Sequence, residues 1–314
     1  MNKRRSFLRA AGLLSAGVFI TPSLISCNSN TEATEETAST EVKTDATTAS
    51  NADTELGIQL YSLREQIGKE GIESVIAKVA DAGYKKVETY GYSKADGFWG
   101  LDANQFNELL KKHNLTSPSG HYGFDPILAG GNDQMLTDYI EAAKTIGQTY
   151  ITVPYLGDNL RQSADDYRKV AQALNTAAKR VNDEGLKLAY HNHDFEFKQF
   201  GDTTGYEILL KETDPELVKM ELDLYWAYRA EKDPVAMMQE HPNRFVMWHV
   251  KDMDKTDPKL NTEIGSGSID YKTLFDNSAN NVEHIYVEQE NFAAGMDPYN
   301  SIKQSHDYIA NTLL

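Results

Sequence analysis

The chain has a single cysteine, Cys27, among 314 residues. No intramolecular disulfide can form, so stability must come from a packed core. Basic residues are also scarce: 31 Lys and Arg stand against 47 Asp and Glu, for a formal net charge of −16. No basic stripe exists to neutralise a phosphate backbone, which excludes nucleic acid as an expected partner. Beyond residue 26 no apolar run is long enough to span a bilayer, so no transmembrane helix is expected there. A glycine-rich phosphate turn after the first strand candidate is missing too, which argues against an open dinucleotide-binding sheet. What is present is 40% hydrophobic and 10% aromatic, ample for one large core.

The first residues read as an address. Lys3-Arg4-Arg5-Ser6-Phe7-Leu8 precedes the apolar stretch Ala10–Ile20, the pattern of a twin-arginine export signal. The stretch ends at Leu24-Ile25-Ser26-Cys27, which has the form of a lipoprotein box. Residues 1–26 are therefore expected to be a signal peptide, and Cys27 the lipidated end of a periplasmic protein, with the outer membrane favoured. Residues 27–54 are rich in Thr, Ala, Ser and Glu and nearly devoid of large apolar side chains. Such a segment cannot bury enough surface to offset its ordering entropy, so it reads as a disordered tether.

From residue 55 to 314 short apolar runs alternate with longer amphipathic stretches. The strand candidates are Leu56–Tyr61, Lys86–Tyr90, Leu115–His121, Thr149–Pro154, Leu186–His193, Val218–Asp223, Phe245–Lys251 and His284–Glu290. Helical patterns lie between them, and Gly83, Gly147 and Gly185 follow three of these as C-terminal caps should. Eight strand–helix units in one domain predict a (β/α)8 TIM barrel.

Active sites of such barrels lie at the C-terminal ends of the strands. Four of the eight histidines, His121, His191, His193 and His249, fall at those ends with Glu88, Asp223, Lys251, Glu288 and Glu290. Imidazoles and carboxylates converging there point to a metal site, and so to an enzyme. His191 and His193 share a face by the strand period of two, as do Glu288 and Glu290. One of the two histidines can ligate while the other handles protons. Glu88 reads either as an ion-pair partner of Lys85 or Lys86, or as a base or hydroxyl acceptor. His121 is a candidate for substrate contact or proton transfer. Lys251 either pairs with Asp252 or points inward to polarise a carbonyl. Tyr61, Trp99, Phe124 and Trp226 are candidate aromatic walls of that site.

Several segments resemble the sugar phosphate isomerase/epimerase superfamily with the xylose isomerase-like barrel. They are Gly57–Arg64, Tyr190–Phe197, Glu221–Trp226, His249–Asp252 and Tyr286–Glu290. The resemblance spans the whole expected folded domain, and the export signal would make this chain a lipoprotein member. It implies a divalent metal held by Asp223, His249 and Glu288. Where many relatives carry Glu after the fifth strand, this chain has His191, and Glu196 just beyond is the alternative fourth ligand. A mixed nitrogen and oxygen set suits Mn²⁺, Zn²⁺, Co²⁺ or Fe²⁺ better than Mg²⁺. The implied catalytic residues are Glu88, His121, His193 and Lys251.

The implied reaction is proton abstraction next to a carbonyl through an enediolate. A sugar isomerase or epimerase stands first, and a lyase or hydratase acting on 3-keto-glycosides second. A lipid-anchored sugar-binding protein without catalysis is the third reading. The partners expected are a small-molecule sugar, the membrane through Cys27 alone, and a second copy of the chain if it forms oligomers.

Overall fold

The computed structural model describes residues 55–278 and 282–314. The signal segment, Cys27 and the tether lie outside the described residues. Eight parallel strands close into a barrel in sequence order. They are β1 (Gly57–Gln59), β2 (Lys86–Tyr90), β3 (Thr116–His121), β4 (Tyr150–Val153), β5 (Lys187–His191), β6 (Val218–Asp223), β7 (Phe245–Val250) and β8 (His284–Val287). Helices follow the strands and cover the outside, as the alternating pattern predicts. Among the described residues, no helix is long and apolar enough to cross a membrane.

The helical layer follows from patterning. Helix α1, introduced here as Ala164–Asp183, buries Tyr167, Val170, Ala171, Leu174, Ala177, Ala178 and Val181. That i, i+3, i+4, i+7 spacing lines one stripe, which packs on the barrel. Ser163 caps its first turn through the Asp166 amide. Gly83, Gly147 and Gly185 all take positive φ after helices, where a side chain would be strained.

Inside the barrel, residues stack in layers because alternate side chains point inward. Tyr150, Ala189, Met247 and Tyr286 form an apolar plug. The inward positions beyond the plug, toward the strands' C-terminal ends, are polar. Gln59 pairs in register with Glu88, Glu88 with Ser119, His191 with Glu221 and Asp223 with His249. Neighbouring strands therefore deliver their titratable groups to adjoining inward levels above the plug.

One expectation changes. The first strand stops at Gln59, and Leu60–Leu63 forms a 3₁₀ turn. The Gln59 side chain accepts from the Tyr61 amide, which draws the backbone out of the sheet at that point. The loop 92–101 is anchored, since Phe98 is fully buried and stacks on Phe106.

Candidate active site

Asp223, His249 and Glu288 meet at the C-terminal mouth of the barrel. His249 Nδ1 lies 2.7 Å from Glu288 Oε2. His191 Nε2 lies 3.6 Å from Asp223 Oδ2. The four residues that the resemblance assigns to a metal thus face one another. Lys251 sits against them, with Nζ 2.8 Å from both Asp223 and Glu288 and 2.6 Å from Glu290. It points inward, while Asp252 turns away and accepts from the amides of Gly265, Gly267 and Ile269.

Beneath this group is a layer of acceptors. Glu221 Oε2 lies 2.8 Å from His121 Nε2, 3.0 Å from His191 Nδ1 and 3.2 Å from His249 Nε2. Glu88 Oε2 lies 2.6 Å from His249 Nε2 and accepts from Gln59, while its other oxygen accepts from Ser119. Glu88 is therefore saturated beneath the imidazoles rather than free to touch a substrate. The Glu88 pairing with Lys85 or Lys86 does not form; Lys86 instead faces Glu55 and His284.

Glu196 is elsewhere. It accepts from Tyr190 Oη at 2.8 Å and from the His193 amide at 2.9 Å. Strand β5 ends at His191, and the 3₁₀ turn Phe195–Phe197 carries Glu196 to the outer face where Tyr190 points. It joins neither group of candidate donors, Asp223–His249–Glu288 or His121–His191–Glu221–His249, whereas His191 belongs to the second and shares His249 with the first. Burial pushes the Glu196 carboxyl up to about 8. The fold thus binds a proton that the unfolded chain releases above its ordinary carboxylate pKa. That contribution is complete below about pH 4.5 and is lost as pH rises to about 8, by about 1.4 kcal/mol per unit. Glu196→Gln is expected to raise the urea midpoint far more at pH 8 than at pH 5. An equal shift at both pH values would refute a buried neutral acid.

The electrostatics separate the histidines. Burial, and then the neighbouring charge of His249, lowers His191 to about 3, so its ring stays neutral. Burial also pushes His193 well down, helped by His191 and Lys251. Burial opposes a charged His121 as well, but Glu88 and Glu221 outweigh it and raise its pKa. His249 is raised well above the ordinary value, because Glu221 and Glu88 overcome its burial. Burial lifts Asp223 to about 6 against the pull of Lys251. Glu288 stays well below the ordinary range, since Lys251 and His249 overcome its burial.

The donors fit a divalent metal. Asp223 Oδ2 is buried without a hydrogen bond, although Lys251 Nζ is nearby. Asp223, Glu288 and Glu290 share the Lys251 ammonium, and Glu288 also meets His249, an acid-rich set that a divalent cation would complement. Buried charge of this kind needs a partner.

Above the donors opens a cavity of about 420 Å³. His121, His191, His193, Lys251, Glu288 and Glu290 form its polar lining, and Tyr61, Tyr90 and Tyr155 its aromatic walls. The Nδ1 atom of His193 is itself buried and has no partner. Its ring stacks on Phe195 and leans on Trp226. Phe124 is buried in the hydrophobic core, outside the cavity lining, and Trp99 stands behind Tyr90.

The sequence reading omitted Glu221. The signal was available, since Glu221 and Asp223 share a strand face by the same period of two that pairs Glu288 with Glu290. Leu224–Arg229 is helical, and Asp223 Oδ1 caps it by accepting from Trp226 N at 2.8 Å. Asn192 bridges strands, donating to the Asp223 carbonyl and accepting from the Asp223 amide.

Known proteins agree with this architecture. An inosose dehydratase of Lactiplantibacillus plantarum is 28% identical over 283 residues, covering 79% of this chain and 91% of that protein. An inosose dehydratase of Clostridium beijerinckii is 24% identical over 281 residues, covering 77% and 90%. The crystal structure of a sugar phosphate isomerase/epimerase from Parabacteroides distasonis superposes with a TM-score of 0.72 at 26% identity, covering 86% of this chain and 98% of that one. Residues 76–311 match the model of one enzyme family. With its closed eight-stranded barrel and that match, the chain belongs to the xylose isomerase-like TIM barrel family.

Proposed function

We propose that this protein removes a proton next to the carbonyl of an unphosphorylated polyhydroxy ketone and expels a β-hydroxyl or β-alkoxide group. The observation that carries the reading is the Asp223–His249–Glu288 cluster with Lys251 against it, opening on a cavity that the His193 ring also lines.

His191, Asp223, His249 and Glu288 would hold a divalent metal. Bound there, such an ion supplies Lewis-acid stabilisation of negative charge on a carbonyl oxygen. The chain's own groups do the rest. The His193 ring, which burial favours in its neutral form, accepts the proton from the carbon beside the carbonyl. Lys251 places positive charge at the cavity lining, where the oxygen gains negative charge. The electron pair left on carbon forms the new double bond as the β carbon–oxygen bond breaks. His121, backed by Glu221, donates a proton to the departing oxygen, so hydroxide leaves as water. Tyr61, Tyr90 and Tyr155 offer flat faces to the sugar carbons.

Two facts support the substrate class. Lys251 is the one Lys or Arg among the described cavity-lining residues, and three carboxylates already engage it. A phosphate would meet no free cation there. The curated relatives at 28% and 24% identity are dehydratases, which favours elimination over the isomerase or epimerase first implied by the resemblance. Epimerisation is the second reading, favoured by the Parabacteroides distasonis structure. It would use the same proton removal, with return of the proton in place of expulsion.

The test is proton–deuterium exchange by NMR in D₂O. The Mn²⁺-loaded domain would be offered free ketoses, cyclitol ketones and 3-keto-glycosides. Metal-dependent deuterium uptake with formation of an unsaturated product is expected. Exchange yielding only the epimer would replace elimination with the second reading. No exchange, alongside measurable sugar binding, would make this a binding protein.

A further inference from the structure

We propose that Glu221 is the positioning residue of this site, fixing which ring nitrogen of each histidine faces the donor cluster and the cavity. The inference rests on the metal reading above, but its central readout needs no metal.

A histidine can turn either nitrogen toward a metal, and the partner of the opposite nitrogen decides which. Glu221 reaches three rings with one oxygen. His191 Nδ1 lies 3.0 Å from Oε2, which leaves Nε2 facing Asp223. His121 Nε2 lies 2.8 Å away, which leaves Nδ1 free of that carboxylate. His249 Nε2 lies 3.2 Å away and also contacts Glu88, while its Nδ1 faces Glu288. The rings brace one another: His191 and His249 centroids are 4.5 Å apart, and His121 stacks on His249 at 5.2 Å.

The three histidines do not depend on Glu221 equally. His249 has Glu88 as a second acceptor at 2.6 Å, and His121 has it at 3.3 Å. Nδ1 of His191 has Glu221 as its acceptor, and Glu88 is not among that ring's partners in the described residues. The arrangement therefore assigns the tautomer of His191 to Glu221. Glu221 is fully buried, and its Oε1 has no partner, so it meets the three rings through a single oxygen.

The experiment uses the isosteric Glu221→Gln, with Glu221→Asp as a charge-retaining second variant and Glu88→Gln as the control. In metal-free protein, ¹⁵N–¹H spectra of the imidazoles report which nitrogen carries each proton. Wild type should show His191 as a single Nδ1–H tautomer, and Glu221→Gln should turn it into a mixture. Glu88→Gln should leave His191 as it is. Mn²⁺ binding, followed by loss of the free-ion EPR signal, should weaken about tenfold to a hundredfold in Glu221→Gln and less in Glu221→Asp. Unchanged His191 signals with Mn²⁺ affinity within about twofold of wild type would overturn the proposal. A wild-type protein that binds no Mn²⁺ would defeat the metal reading instead, and the metal-free spectra would still decide the positioning role.

Discussion

Lys251→Met is expected to destabilise the metal-free barrel by about 3–5 kcal/mol, and added Mn²⁺ should recover much of that loss. The side chain is almost completely buried, with Nζ within 2.8 Å of Asp223 and Glu288. Methionine has similar length and no charge, so the change removes the cation without opening a large void. Two buried carboxylates would then face each other uncompensated and would take up protons instead of remaining ionised. A metal bound by the same two groups would restore the balance. Urea unfolding with and without EDTA measures both effects. If metal-free Lys251→Met matched wild type, the ammonium would not be balancing these carboxylates.

Asp223→Asn is expected to lower turnover at least about a thousandfold, since loss of Lewis-acid stabilisation removes several kcal/mol at the transition state. Metal content by elemental analysis should fall in parallel. Asparagine is the informative substitution here because Asp223 has two duties. Oδ1 caps the helix Leu224–Arg229, and Asn keeps that hydrogen bond, whereas Ala would cost about 1 kcal/mol more through the lost cap. Only the Oδ2 position, which faces Lys251 and His191, changes its charge. Normal turnover in Asp223→Asn, or in EDTA-stripped wild type, would remove the metal from the mechanism.

The barrel was legible in the sequence because its two periodicities are local. Period two marks the strands, and the 3.6-residue period marks helices such as Ala164–Asp183. The gathering of His191, Asp223, His249 and Glu288 was legible for a related reason. A closed barrel brings the ends of all its strands together, so knowing where each strand ends is enough to place them. The rest was hidden for reasons that differ from residue to residue. Glu196 lies past the end of β5, where strand parity no longer applies and a 3₁₀ turn sets the direction. Glu88 was placed on the correct strand, but its saturation by Gln59, Ser119 and His249 depends on three distant segments. Glu221 lies one layer deeper than the strand ends, so a search confined to the rim passed over it. Lys251 posed a choice between two partners that only packing decides, and Asp252 had already been claimed by the amides of a glycine loop.

Trp226 has a consequence of a different kind. Its indole Nε1 donates to Glu290 at 3.3 Å, Lys251 Nζ stands 5.9 Å from its ring, and the His193 ring is 5.4 Å away. The indole is thus wired to the carboxylate, the ammonium and the imidazole whose charges any occupant would redistribute. The other two tryptophans sit apart from this group, Trp99 behind Tyr90 and Trp248 buried against Phe275. The molecule therefore carries its own optical gauge: Trp226 emission should register the arrival of an ion or a ketone, without a label and before any product has formed.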